Sequence, residues 1–143
     1  MESYRKERRT VRYFTLMEMA VVILILGLLA TIVTPLYFRH VRKAKISTAR
    51  TQILMIEQAI LDFNMDLGRV PTSLDELTRK TGDDKWDGPY LKSAVPKDPW
   101  GNSYSFKVPG SSGEFEIISY GSDGQSGGTG EAADISNIGP PAE

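Results

Sequence analysis

FTLMEMAVVILILGLLATIVTPLYF, at residues 14–38, is the most apolar stretch of the chain, and Met19 to Phe38 within it carry no charged side chain. An α-helix rises about 1.5 Å per residue, so roughly 20 apolar residues span the ~30 Å hydrocarbon layer of a membrane. The stretch therefore predicts a membrane-spanning helix. Glu18 stands at its N-terminal end, and a carboxylate placed in a membrane costs about 2.5–3.5 kcal/mol. We expect Glu18 to require a cationic partner.

A basic leader precedes this stretch. Residues 1–13, MESYRKERRTVRY, contain five basic and two acidic side chains. A secretory signal would continue with only about 7–15 apolar residues and a small-residue cleavage site, whereas here the apolar stretch is longer and no such site follows it. We therefore predict a leader at 1–13, a retained anchor at 14–38 and a domain at 39–143. Five basic residues also follow the anchor, so charge alone does not settle its orientation.

Composition limits what that domain can be. The chain has 143 residues, a net charge of −1 and no cysteine. This length leaves room for one small domain after the anchor, and the lack of cysteine excludes a disulfide framework and a thiolate metal site. The basic residues flank the apolar helix and do not interleave with aromatics on a soluble face, so we expect no nucleic-acid partner. Packing, helped by an oxygen-ligated ion, must hold the fold.

The helical pattern continues beyond the anchor. Apolar residues recur at spacings of three and four on one stripe: Ile46, Ala49, Ile53, Ile56, Ile60, Phe63 and Leu67. Gly68 occupies a C-cap position, and Pro71 soon after it prevents the helix from resuming. The sequence thus predicts one helix from about Phe14 to Leu67, kinked or locally unwound at Pro35.

An α+β fold is expected for the remainder. Ser73 and Glu76 have capping-box spacing and predict a short helix. Apolar and polar residues alternate at 104–108 and again at 115–119, on either side of a turn, which predicts an antiparallel hairpin. Its apolar face should cover the helix stripe. From Gly121 onward the chain is rich in glycine and polar residues, and it cannot fold by burial alone.

Four stretches of the sequence are characteristic when taken together: FTLMEMAVVI at 14–23 with Pro35 behind it, GRVPT at 68–72, DPWGN at 98–102, and YGSDG at 120–124 followed by Asp134 and Ile135. In these stretches the chain resembles type IV pilins and, more narrowly, the major pseudopilins of type II secretion, the protein G family. The resemblance implies a pilin-like fold, in which a long N-terminal helix packs on a small antiparallel sheet with a C-terminal calcium-binding loop.

The resemblance also implies a sequence of processing and assembly steps. A prepilin peptidase would cut between Tyr13 and Phe14 and methylate the new amine. The subunit, held in the inner membrane with its C-terminal domain in the periplasm, would then leave the lipid and polymerise with copies of itself and with minor pseudopilins, on an inner-membrane platform. Assembly would involve Glu18, Thr15 and Pro35, with Glu18 neutralising the amine of a neighbouring subunit.

One residue departs from the family pattern. Relatives have Gly before the cleavage point, whereas this chain has Tyr13. Three explanations stay open. The peptidase accepts Tyr13, or the start codon or the alignment is unusual, or the leader is retained. In the last case Phe14 has no free amine, and Glu18 must find another base such as Arg12.

The glycine-rich tail implies a calcium site by the same resemblance. Asp123 and Asp134 match the acidic positions of relatives, and Tyr120 and Gln125 lie where main-chain carbonyls bind the ion. Glu131 is a further candidate, because Ala133 replaces an acid that some relatives carry. Calcium takes six to eight oxygen ligands, and the spacing excludes an EF-hand.

No catalytic constellation accompanies these features, so an enzyme is the least expected class. His40 is the only histidine and has no acid or nucleophile beside it. The main prediction is a filament subunit of type II secretion. The alternatives are a type IV pilin and an uncleaved single-pass membrane protein with a periplasmic calcium-binding module.

Overall fold

The computed structural model describes residues 13–80, 82–110 and 113–139. Most of the predicted leader, residues 1–12, and two residues of the predicted turn, 111 and 112, lie outside this range. The chain divides into two compact units, one through Arg39 and one from His40. Each is described by itself.

Helix α1 covers Leu16–Leu67 and contains Pro35. It begins two residues later than predicted, because Thr15 caps it. The backbone stays helical through Pro35, so the predicted local unwinding does not occur. A proline removes only one hydrogen bond from the ladder, and the surrounding turns keep theirs.

In the unit that ends at Arg39, the apolar half of α1 is exposed. None of its most apolar 18-residue segment is buried. Among the described residues, α1 is the one helix long and apolar enough to cross a membrane. Side chains such as Ile23 and Leu26 are therefore available to lipid or to other helices.

In the unit that begins at His40, α1 supplies one side of the core. The predicted stripe is confirmed, with Ile46 and Leu67 half-buried at its two ends and these residues buried between them: Ala49, Ile53, Ile56, Ala59, Ile60 and Phe63. Gly68 closes the helix as expected, at a φ of 71° and with its N–H donating to Asn64 O at 2.8 Å. The period of the pattern therefore placed this half of the helix correctly.

The short helix after Pro71 is a 3₁₀ turn, Leu74–Leu77. The predicted capping box is wrong in its partners, since Ser73 makes no side-chain cap bond. Instead Glu76 accepts hydrogen bonds from the N–H and hydroxyl of Thr72. Arg69 draws the carboxylate to that side, with its Nη2 3.0 Å from Glu76 Oε2.

Three antiparallel strands complete the unit, in the order β1, Ser105–Lys107, then β2, Glu116–Ser119, then β3, Ile135–Ser136. The β1–β2 hairpin was predicted, and it pairs Phe106 with Ile117. Ile117 is fully buried against the α1 stripe, as expected of the hairpin's apolar face. Strand β3 was missed, because two residues within a polar tail show no periodicity.

Candidate functional site

The start of α1 is the first predicted site. Tyr13 and Phe14 are exposed and precede the helix. Thr15 Oγ1 accepts a hydrogen bond from Glu18 N–H at 3.1 Å, which makes Thr15 the N-cap. Glu18 is then the third helical residue, where the positive end of the helix dipole favours a carboxylate. The fold thus gives Thr15 and Glu18 a local role at the helix start, and the assembly role that the resemblance implies stays a prediction.

The predicted calcium residues all lie on one connection. Residues 120–134 join β2 to β3, and Ser119 pairs with Ile135 at the base of this loop. Tyr120 therefore leaves the sheet next to the point where Asp134 enters it. Residues 122–130 are exposed, so apolar burial does not shape this part of the loop. We call residues 120–134 the β2–β3 loop.

Polar contacts shape the loop instead. Ser122 N–H donates to Glu131 O at 2.8 Å and so brings its two arms together. The carboxylate of Asp134 accepts the N–H of Gly127 at 3.0 Å, and that of Asp123 accepts the N–H of Gln125 at 3.1 Å. Both predicted acids thus turn one oxygen toward the loop's own backbone.

Gly121 is required where the two arms meet. Its φ is 62°, a conformation that L side chains rarely adopt, and a Cβ placed on it would collide with the Glu131 carbonyl oxygen. The glycine therefore permits the close approach that the hydrogen bond from Ser122 to Glu131 requires.

The donor set can be tested against calcium. Among the described residues no group of three or more His, Cys, Asp or Glu side chains is placed to hold a metal. The carboxylate of Glu131, the predicted third acid, lies 3.5 Å from Arg42 Nε. What the loop offers is the carboxylates of Asp123 and Asp134 together with backbone carbonyls. Oxygen ligands of this kind suit hard cations, which include calcium, magnesium and manganese.

Asp98 is a buried carboxylate beside the loop, and the sequence identified it only as part of the DPWGN motif. Asp98 is 4% exposed. Its Oδ1 accepts the N–H groups of Trp100 and Asn102 at 3.1 and 2.8 Å, and its Oδ2 accepts the Ser119 hydroxyl at 2.7 Å. The Asp98-x-Trp100-x-Asn102 spacing is typical of a carboxylate that caps its own turn, and this was the available signal.

Tyr104 lies close to this carboxylate. Burial, and after it the charge of Asp98, raise the pKa of the Tyr104 phenol, which donates to Gln52 Oε1 at 2.6 Å. The phenol therefore stays protonated. Its hydrogen bond connects the residue that precedes β1 to α1.

The comparisons with known proteins agree with this architecture. The family model described as type II secretion system protein G matches residues 37–138. The type II secretion system core protein G of Vibrio cholerae is 38% identical over 139 residues, covering 92% of this chain and 94% of that protein. The protein of the same name from Pseudomonas aeruginosa is 39% identical over 140 residues, covering 92% of this chain and 97% of that protein.

A solved structure is similar as well. The major pseudopilin from the type 2 secretion system of enterohaemorrhagic Escherichia coli superimposes with a TM-score of 0.55 at 25% identity, covering 70% of this chain and 91% of that one. Fold and sequence therefore lead to the same group of proteins. The chain belongs to the type II secretion system protein G family of major pseudopilins.

Proposed function

We propose that this protein is the structural subunit of a type II secretion pseudopilus, a filament that it forms with copies of itself through the apolar half of α1. The observation that carries the proposal is the division of α1. One half has an entirely exposed apolar segment, and the other half is built into the core of the second unit. An exposed apolar helix needs lipid or other helices around it, and both are available to a subunit that passes from membrane to filament.

In this proposal the anchor crosses the inner membrane once, and the unit that begins at His40 is periplasmic. A prepilin peptidase removes the leader after Tyr13 and methylates Phe14. The bond it cuts lies among exposed residues outside the helix, which suits recognition by an enzyme. Minor pseudopilins and the inner-membrane platform are the further partners.

Glu18 has a defined task in this assembly. Its carboxylate neutralises the N-terminal amine of a neighbouring subunit, since an unpaired charge among apolar helices is costly and a pair is tolerated. The contact sets the register of neighbouring subunits more than it adds stability.

Intact mass of the membrane-extracted protein tests processing. A mass that corresponds to a chain beginning at Phe14 with one added methyl group supports the proposed processing by a prepilin peptidase. A mass that retains residues 1–13 contradicts it and favours the alternative of an uncleaved single-pass membrane protein.

We also propose that the β2–β3 loop binds calcium. Asp123 and Asp134 would supply carboxylates, and Tyr120 and Gln125 would supply main-chain carbonyls. Glu131 pairs with Arg42 through Oε2, so its side chain would join either through Oε1 or by leaving Arg42. When bound, the ion supplies electrostatic cross-linking of a segment that has no apolar core of its own.

Thermal unfolding of the detergent-solubilised chain tests this proposal. Calcium should raise the melting temperature, and a chelator should reverse the rise, because a ligand that binds only the native state stabilises it. Magnesium at the same concentration is the control. Identical melting curves with calcium and with chelator would rule the site out.

A further inference from the structure

We propose that Asp98 and Asn102 are positioning residues for the β2–β3 loop. They hold the start of this loop, at Gly121, in the conformation that binds the ion. This rests on the proposed calcium binding by the β2–β3 loop. The DPWGN motif at 98–102 would then serve that loop from outside it.

The first part of the structural basis is the turn itself. Asp98 N–H donates to Asn102 O at 2.9 Å, and Asn102 N–H donates back to Asp98 Oδ1 at 2.8 Å. These reciprocal bonds set the direction of the Asn102 side chain. The buried Asp98 carboxylate also accepts hydrogen bonds from Trp100 N–H and the Ser119 hydroxyl, which fix its orientation.

The second part is the pair of hydrogen bonds that hold the backbone of Gly121. Asn102 Nδ2 donates to Gly121 O at 2.9 Å. Gly121 N–H donates to Ser119 Oγ at 3.3 Å, and the same hydroxyl donates to Asp98 Oδ2. Both polar backbone groups of Gly121 are therefore tied, directly or through Ser119, to the Asp98–Asn102 turn.

The third part is the position of Gly121 in the loop. Gly121 lies between Tyr120 and Asp123, two of the proposed ligand residues. The same amide also approaches Gly124, where a Cβ would lie 3.6 Å from Asn102. The turn thus bonds to the loop before Asp123, at Gly121, and lies near it after Asp123, at Gly124. At its other end, Asp134 directly precedes Ile135, which the sheet pairs with Ser119.

The consequence is preorganisation. An exposed loop that orders only when the ion arrives must lose backbone entropy at that moment, and this loss weakens binding. A loop whose start is already held loses less entropy, so the same coordinating residues bind calcium with higher affinity. Loss of the hydrogen bonds to Gly121 should therefore weaken calcium binding, although no coordinating residue has been removed.

Isothermal titration of calcium into the detergent-solubilised full chain tests the inference with Asn102→Ala. We expect the Kd to rise at least about tenfold relative to the unchanged protein. The matched control is Asn137→Ala. Asn137 also joins backbone to side chain, accepting Ile117 N–H at 2.8 Å and donating to Glu57 at 3.2 Å, but it lies outside the loop.

Melting in chelator separates positioning from general stability. Both variants should melt earlier than the unchanged protein, and only Asn102→Ala should also lose calcium affinity. An unchanged Kd for Asn102→Ala, or equal losses of affinity in both variants, would overturn the positioning role while leaving calcium binding intact. If the unchanged protein does not bind calcium, the proposed calcium function fails, and this inference fails with it.

Ser119→Ala provides a second variant in case Asn102→Ala does not fold. Alanine fits the fully buried position and removes the hydroxyl that Gly121 N–H contacts. We expect the same loss of calcium affinity, and an unchanged Kd would again contradict the proposal.

Discussion

Single residues near the end of α1 show how charge is stabilised in this protein. Glu76 lies where Arg69 and Thr72 converge, and Arg69 also stands over the Phe63 ring at 5.1 Å from its centre. Burial on its own would raise the pKa of the Glu76 carboxyl, but hydrogen bonds from Thr72 and the nearby Arg69 charge outweigh it and lower that pKa. The native fold therefore prefers the ionised carboxylate.

Glu76→Gln should consequently destabilise the protein by about 1 kcal/mol at pH 7, a low value for charged hydrogen bonds because Arg69 is partly exposed. A lowered native pKa contributes stability above the ordinary Glu pKa of about 4.3, and this contribution is lost as the pH falls through the native value. Urea unfolding should therefore show the difference at neutral pH and a much smaller one in acid. Asp75→Asn, on the same exposed turn, is the control. A difference that persists unchanged in acid would contradict this account.

Gly121 makes a second prediction at the residue scale. Gly121→Ala places a methyl group against the Glu131 carbonyl, so it should cost about 1–3 kcal/mol beyond the strain of a positive φ. Gly124→Ala is the matched control, because Gly124 has a similar φ of 66° but its nearest neighbour would be 3.6 Å away. Chemical unfolding of both variants measures the difference. Equal destabilisation would show that the two arms of the loop do not approach closely at Gly121.

At the scale of elements, α1 presents two chemically different faces within the unit that begins at His40. Ile56 is fully buried against the sheet, whereas Leu54, two residues earlier, is 61% exposed. The sheet covers only one side of the helix, and Ile117 and Ile135 of β2 and β3 belong to the same core cluster as Ile56. The stability of the unit should therefore depend on one face of α1.

Ile56→Ala should cost about 2–5 kcal/mol, because it leaves a cavity in a close-packed core. Leu54→Ala should change the stability of the isolated subunit by less than about 0.5 kcal/mol. Urea unfolding of the two variants in detergent measures both values. Similar costs at the two positions would mean that the helix stripe is wrongly assigned.

At the scale of the whole molecule, the proposed filament depends on a charge that the fold leaves accessible. Glu18 is exposed, and its contribution to the helix cap comes from its backbone N–H and not from its carboxylate. Glu18→Gln therefore removes the charge without removing the cap. This separates assembly from folding of the helix start.

We expect Glu18→Gln to insert into the membrane normally and to lose filament formation, because the neighbouring amine then has no counter-charge. Membrane fractionation and electron microscopy of sheared filaments measure the two properties. Thr15→Ala is the complementary variant, since it weakens the cap and keeps the charge. Normal filaments from Glu18→Gln would remove the proposed amine pairing.

Elements with a hydrophobic period were predicted from the sequence, whereas polar contacts were not. The α1 stripe from Ala49 to Phe63 and the β1–β2 hairpin were predicted because burial on one face leaves a period in the sequence. The capping box at Ser73 failed because Arg69 and Thr72, outside the motif, compete for the Glu76 carboxylate. The proposed calcium residues of the β2–β3 loop rest on family resemblance and stay a prediction, since glycine and polar residues show no period of their own.

The sequence by itself determined that one helix has an apolar half and an amphipathic half, because hydropathy and period are properties of neighbouring residues. Only the tertiary structure decided how the polar tail is held. Strand β3, the contact of Asp98 with Ser119 and that of Asn102 with Gly121 join residues about 20 positions apart. Such contacts depend on where the backbone brings single polar atoms together, and no local pattern records that.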